Sequence, residues 1–130
     1  MGVNTTRDIN QVGHGFVVGD VLYFDSIYIK AQADSDTTAE TVGIVSAVGG
    51  PNDFTLLTDG YIDTLSGLTN NRVYFLSAVT PGALSLTEPV GTDQVSKPLL
   101  VTVSTTAGYF NNLRGQLILP YNDDNSRCFV

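Results

Sequence analysis

The chain has one cysteine, one histidine and no tryptophan in 130 residues, and each scarcity removes a class of chemistry. A lone Cys128 cannot close an intramolecular disulfide, so no disulfide scaffold is expected and nothing points to an oxidising compartment. One Cys and one His fall short of the ligands that a tetrahedral zinc site requires, and neither a metal nor a cofactor is expected. Any Ser-His-Asp arrangement must run through His14, which sits between Gly13 and Gly15, and no serine lies in a G-x-S-x-G elbow. The spacing of Gly13, Gly15 and Gly19 lacks the P-loop lysine and precedes no helical pattern. The missing tryptophan weighs against sugar cleavage or tight glycan stacking.

Positive charge is also scarce. Six Lys and Arg face 13 Asp and Glu, a formal net charge of −7, which repels phosphate and makes nucleic acid a poor partner. No apolar run approaches the roughly 18 residues of a membrane helix, so no membrane partner is expected. Met1 to Asp8 shows neither the basic nor the apolar region of a secretory signal, and none is expected. No window repeats apolar residues at i, i+3, i+4 and i+7 for three turns, which leaves a helix without support.

What the chain does have is short β-forming runs. Its length and 42% hydrophobic content suit one globular domain with a core that needs no staple. Val21–Phe24 and Ile27–Ile29 read as a hairpin parted by Asp25-Ser26. Thr41–Val48 is dense enough in apolar residues for a strand buried on both faces, and Gly49 to Asn52 supplies a turn. The return strand, Asp53–Thr58, places Phe54 and Leu56 on one face and Thr55 and Leu57 on the other. Val73–Leu76 pairs with Ala83–Leu86 across Pro81-Gly82. Leu99–Val103 follows Pro98, and Tyr109-Phe110 and Leu117–Leu119 are shorter candidates. The pattern predicts an all-β fold, a single antiparallel β-barrel or β-sandwich with short N- and C-terminal arms.

One internal echo stands out. Gly15–Phe24 aligns without gaps on Gly67–Leu76: an apolar anchor, a turn with Gly or Asn suited to positive φ, then a strand. Convergence accounts for such phrases in many β proteins; the alternative is a barrel of two pseudo-equivalent halves.

The reactive candidates are sparse. His14 reads as an exposed loop histidine. Asp34-Ser35-Asp36 and Asp123-Asp124-Asn125 crowd oxygen ligands, yet neither matches a D-x-[DN]-x-[DN]-G calcium loop, and both read as solvated acids. Thirteen acids leave a glycosidase-like carboxylate pair open. Asn4-Thr5-Thr6 fits a glycosylation acceptor by coincidence. Cys128, beside Phe129 and Val130, reads as a small packed hydrophobe.

A longer set of phrases carries more information than any of these. His14–Phe24, Lys30–Ser35, Glu40–Ser46, Phe54–Leu56, Gly60-Tyr61, Leu65–Leu68 and Val73–Ser77 appear in an order that resembles a module of tailed-bacteriophage structural proteins. Pro81–Leu84, Glu88-Pro89, Val95–Pro98, Ser104–Tyr109 and Arg114-Gly115 continue it, so the resemblance spans about residues 11 to 115. The resemblance implies a β-rich virion surface module of tail fibres and head-decoration or head-fibre proteins, commonly a homotrimer, with no shared catalytic motif. The chain is therefore expected to be a non-enzymatic capsid decoration protein on the outer virion surface. Its expected partners are the major capsid protein and its own copies. The division is an N-terminal arm at 1–10, the module at 11–115, and a C-terminal strand and arm at 116–130. Val3, Arg7 and Ile9, with Arg127, Phe129 and Val130, are the expected contacts with the particle. A tail-fibre adhesin using loop tyrosines and carboxylates against a host glycan or protein is the alternative, and an acid-pair hydrolase comes third.

Overall fold

The computed structural model describes residues 4–112 and the backbone of two strands at 116–118 and 127–129. In chain order the strands are β1 (Thr5–Asn10), β2 (Val21–Asp25), β3 (Ile27–Lys30), β4 (Thr41–Gly50), β5 (Asp53–Ile62) and β6 (Val73–Leu76). They continue with β7 (Leu84–Ser85), β8 (Val95–Ser96), β9 (Pro98–Thr102), β10 (Gly108–Phe110), β11 (Gln116–Ile118) and β12 (Arg127–Phe129). No helix occurs among the described residues, and nine of the strands form one curled antiparallel sheet, a half-barrel, as the sequence pattern predicts. The order across the sheet is β3-β2-β4-β5-β10-β9-β6-β7, with β1 also against β5; β12, β11 and β8 make a smaller sheet.

The local chemistry explains the strongest elements. β4 buries both faces: Ile44 enters the main core with Val21, Leu57, Leu76 and Phe110, whereas Val45 joins a second cluster with Phe16, Leu22, Phe54 and Leu56. β5 divides as its alternation requires, Phe54 and Leu56 to the second cluster and Leu57 to the first. Each fully buried Leu, Ile or Phe removes enough apolar surface from water to contribute about 1.5–3 kcal/mol.

Two boundaries differ from the sequence reading. Gly49 and Gly50 continue β4, so the tight turn is confined to Pro51 and Asn52. Thr5–Asn10, assigned by sequence to a free arm, forms β1 and pairs with β5 from Thr5↔Asp59 to Asn10↔Asp53. Only Ile9 of these six residues is partly buried. The strand is held by its main-chain ladder rather than by an apolar stripe, and periodicity could not reveal it.

The internal echo is a structural repeat. Gly15 and Gly67 have φ of 67° and 71°, and Gly19 and Asn71 have φ of 98° and 57°, the left-handed region that favours Gly and Asn. β2 pairs β4 through Val21↔Ile44, Leu22↔Gly43 and, after a bulge, Tyr23↔Thr41. β6 pairs β9 through Val73↔Val101, Tyr74↔Leu100 and, after a bulge at the same step, Phe75↔Pro98. The flanking main-chain bonds match too: Val45 N–H donates to the Asp20 carbonyl at 2.8 Å, and Thr102 N–H donates to the Arg72 carbonyl at 2.9 Å. The sheet order is accordingly palindromic, β3-β2-β4-β5 followed by β10-β9-β6-β7.

The halves stack unlike faces. Val21, Ile44 and Leu57 of the N-terminal half share the main core with Tyr74, Leu76, Leu99 and Leu100 of the C-terminal half. By register, the N-terminal counterparts of that second group are Leu22, Phe24, Val42 and Gly43, and Leu22 lies in the other cluster, with Val42 packed against it. One half therefore presents its first face to the core and the other half presents its second.

Candidate functional site

That arrangement leaves two apolar surfaces open. The first is a row across the C-terminal half. Val73, Val101, Tyr109 and Tyr61 are consecutive register partners on β6, β9, β10 and β5. They are 43%, 44%, 45% and 38% exposed. Register partners in an antiparallel ladder carry their side chains on one face, and the rings of Tyr61 and Tyr109 lie 5.3 Å apart. Val103, two residues beyond Val101, is also exposed.

The second is a groove of about 580 Å³ on the outer face of the N-terminal half, with Arg7, Ile9, Phe24, Tyr28, Val42, Leu56 and Thr58 in its lining. β1 positions Arg7 opposite Leu56 and Ile9 opposite Phe54. Phe24 meets Tyr28 edge to face, 4.9 Å between centroids, and remains 54% exposed. Arg7 is the cation of the lining, and no ion pair to it occurs among the described residues. Asp8, also in the lining, accepts a hydrogen bond from Thr55 Oγ1 at 3.0 Å.

The structure thus brings Arg7 and Ile9 together, on a strand rather than an arm. Arg127 and Phe129 lie in β12, where they pair with Ile118 and Gln116 of β11, so they too belong to a strand. Val3 and Val130 lie outside the described residues. The sequence reading missed Phe24, Tyr28 and Val42 as surface partners of Arg7 and Ile9, because each is an ordinary strand residue until the sheet pairing places it.

Two of the reactive candidates make hydrogen bonds within the fold. His14 is half-buried, not an exposed loop residue: its ring stacks on Phe16 and meets Phe54 edge-on at 5.1 Å. Its Nδ1 accepts from the Phe16 N–H at 2.9 Å, so Nε2 carries the proton and donates to the Gly50 carbonyl at 2.8 Å. The lone histidine pins the entry loop onto the β4–β5 turn. Thr38 Oγ1 donates to the Asp34 carboxylate at 2.6 Å, and Thr38 N–H donates to Ser35 Oγ, so the acidic stretch is a self-bonded turn. No cluster of metal-binding side chains occurs among the described residues; Asp123–Asn125 lie outside them. Asp8 and Asp53 share a shallow pocket of about 380 Å³, and Asp53 accepts from Asn10 Nδ2 at 2.9 Å. The tyrosines at 23, 28, 61, 74 and 109 all lie on strands, and Tyr121 lies outside the described residues.

One charged group is unusual. Lys97 is 4% exposed and donates from Nζ to the Ala39 carbonyl at 2.9 Å. Burial holds its ammonium below the ordinary lysine pKa, opposed in part by Glu40. Ser96 beside it donates to the Glu88 carboxylate.

Comparison with protein-family models, curated proteins and solved structures gives no match for this chain.

Proposed function

We propose that this chain is a structural protein of a bacteriophage virion, a capsid decoration protein that acts by protein–protein contact. The observation that carries the reading is the pair of open apolar surfaces, the Val73–Val101–Tyr109–Tyr61 row and the Arg7–Ile9–Phe24–Tyr28 groove. Contiguous apolar surface rimmed by polar groups is the mark of a contact face. The ordered phrases over residues 11 to 115 supply the kind of assembly. Capsid lattices present many equivalent sites, so modest contacts sum through effective concentration. The net charge of −7 keeps densely packed copies soluble. Val3, Arg127, Phe129 and Val130 are the proposed contacts with the shell.

The test is addition of the full chain to purified phage capsids that lack it, followed by a map of the particle. Saturable binding at fixed shell positions is the expected result; absence from the shell with density on the tail overturns it. Deleting residues 1–3 keeps β1 and the Asn4–Tyr61 hydrogen bonds and is expected to lower occupancy about tenfold or more if the N-terminus anchors the protein. Deleting residues 1–10 would strip β1 from the sheet and measure folding instead.

The second reading, a tail-fibre tip that binds a host glycan, is favoured by the exposed Tyr61–Tyr109 pair, since tyrosine rings stack on sugars. Saturable binding on a glycan array, reduced by Tyr109→Ala, supports it; phage adsorption unaffected by excess protein counts against it.

A further inference from the structure

Inside each chain, the Val21–Ile44–Leu57 row is covered by a face carrying Tyr74, Leu76, Leu99 and Leu100. The repeat supplies each partner with a second copy of itself. The row's counterpart is Val73–Val101–Tyr109, related through the shared register, and it is open. The covering face's counterpart is the outer face of the N-terminal half. There Phe24 stands where Leu76 does and Val42 where Leu99 does. Leu76 and Leu99 are 0% and 1% exposed, whereas Phe24 is 54% exposed and Val42 half-buried. Leu22, which stands where Tyr74 does, is already buried in the second cluster, so the counterpart face is open along Phe24 and Val42; that opening and the uncovered row lie on one molecule, on different halves.

We infer that the open row of one copy packs onto the open groove of a second copy, head to tail, continuing between molecules the stacking that builds the core of each. The charges agree. Arg7 stands in the groove without an ion pair among the described residues. Asp59, exposed and two residues before Tyr61 on β5, flanks the row. A contact between unlike surfaces is heterologous, so it closes into a ring or extends as a filament rather than stopping at a two-fold dimer. The inference does not rest on the virion reading: it concerns what the chain does to itself, whatever particle it joins.

The experiment is sedimentation velocity on the full chain over a wide concentration range, with a row variant (Val101→Asp) and a groove variant (Phe24→Asp), each checked for native circular dichroism. Tyr109→Asp replaces Val101→Asp if that variant does not fold. Wild type is expected to assemble, and each variant alone to need about tenfold or more higher concentration to do so. Mixing the two variants is expected to give a two-chain complex, because the groove variant keeps its row and the row variant keeps its groove. Arg7→Asp and Asp59→Arg are each expected to weaken assembly and to restore it when combined in one chain. A monomeric wild type overturns the inference, as does full assembly by Phe24→Asp alone, which would mean row-to-row contact, or a mixture that stays monomeric. Capsid binding by a chain that remains monomeric would leave the virion reading standing and this one refuted.

Discussion

Val21, Ile44 and Leu57 occupy the same ladder positions in the N-terminal half as Val73, Val101 and Tyr109 in the C-terminal half, down to the bulge one step away. The first three are 0–1% exposed and the second three 43–45%. The difference teaches that strand register decides which way a side chain points, while burial depends on what is stacked over it. The N-terminal row has the C-terminal half above it. The C-terminal row has solvent.

The sharpest way to break the comparison is to truncate one member of each row. Ile44→Ala removes a methyl-rich side chain from a closed core and is expected to cost about 3 kcal/mol. Val101→Ala is expected to stay within about 0.5 kcal/mol in the dilute monomer. Urea titration of both variants checks this, and equal losses would show that the second row is covered within one chain.

A step smaller is the pair Gly43 and Leu100, ladder counterparts of different size. A Cβ at Gly43 would sit 2.6 Å from the Leu57 carbonyl oxygen and 2.8 Å from Leu56 Cγ. Gly43→Ala is therefore expected to destabilise by about 2 kcal/mol through overpacking, although alanine prefers a strand to glycine. A neutral result in the same titration would mean that β4 and β5 can separate at low cost.

The repeated turn gives a still smaller effect. Gly19 at φ 98° has Leu65 Cδ2 only 3.3 Å from where a Cβ would stand, and Gly19→Ala is expected to cost about 1 kcal/mol. Asn71→Gly at the matching turn, φ 57°, is expected to be close to neutral. Thermal unfolding of the two variants compares the turns directly.

Last comes a charge comparison with a pH signature. Lys97 precedes β9 as Glu40 precedes β4, yet Glu40 is exposed and Lys97 is buried. Burial lowers the Lys97 pKa in the folded chain, opposed in part by Glu40. Between that lowered value and the ordinary lysine value the unfolded chain binds more protons, so stability rises with pH through this alkaline window. Lys97→Met is expected to flatten the rise, measured as the difference in unfolding free energy across the window; an unchanged slope assigns it to other groups.

Much of the fold was legible because its strongest strands advertise themselves. β2, β3, β4 and β5 combine β-branched or aromatic residues with Gly, Pro or Asp at their ends, and their alternation names the faces of Phe54, Leu56 and Leu57. β1 and β8 were hidden. β1 is almost wholly exposed, and Val95-Ser96 is too short to show a period, so main-chain pairing rather than side-chain pattern makes both strands. The contact surfaces were legible only in fragments. Arg7 and Ile9 stood out as candidate contacts, but their neighbours Phe24, Tyr28 and Val42 lie 15 or more residues along the chain and required the sheet to assemble first.

By itself the sequence determined the scarcity of cysteine and histidine, the β class and the repeated turn, because those follow from composition, alternation and the conformational freedom of Gly and Asn. Only the tertiary structure decided which copy of the repeat is closed and which is open. Two halves with one pattern can stack by a single pair of faces within one chain, and that stacking leaves the Val73–Val101–Tyr109 row uncovered, while the outer face of the N-terminal half is closed over Leu22 and open at Phe24.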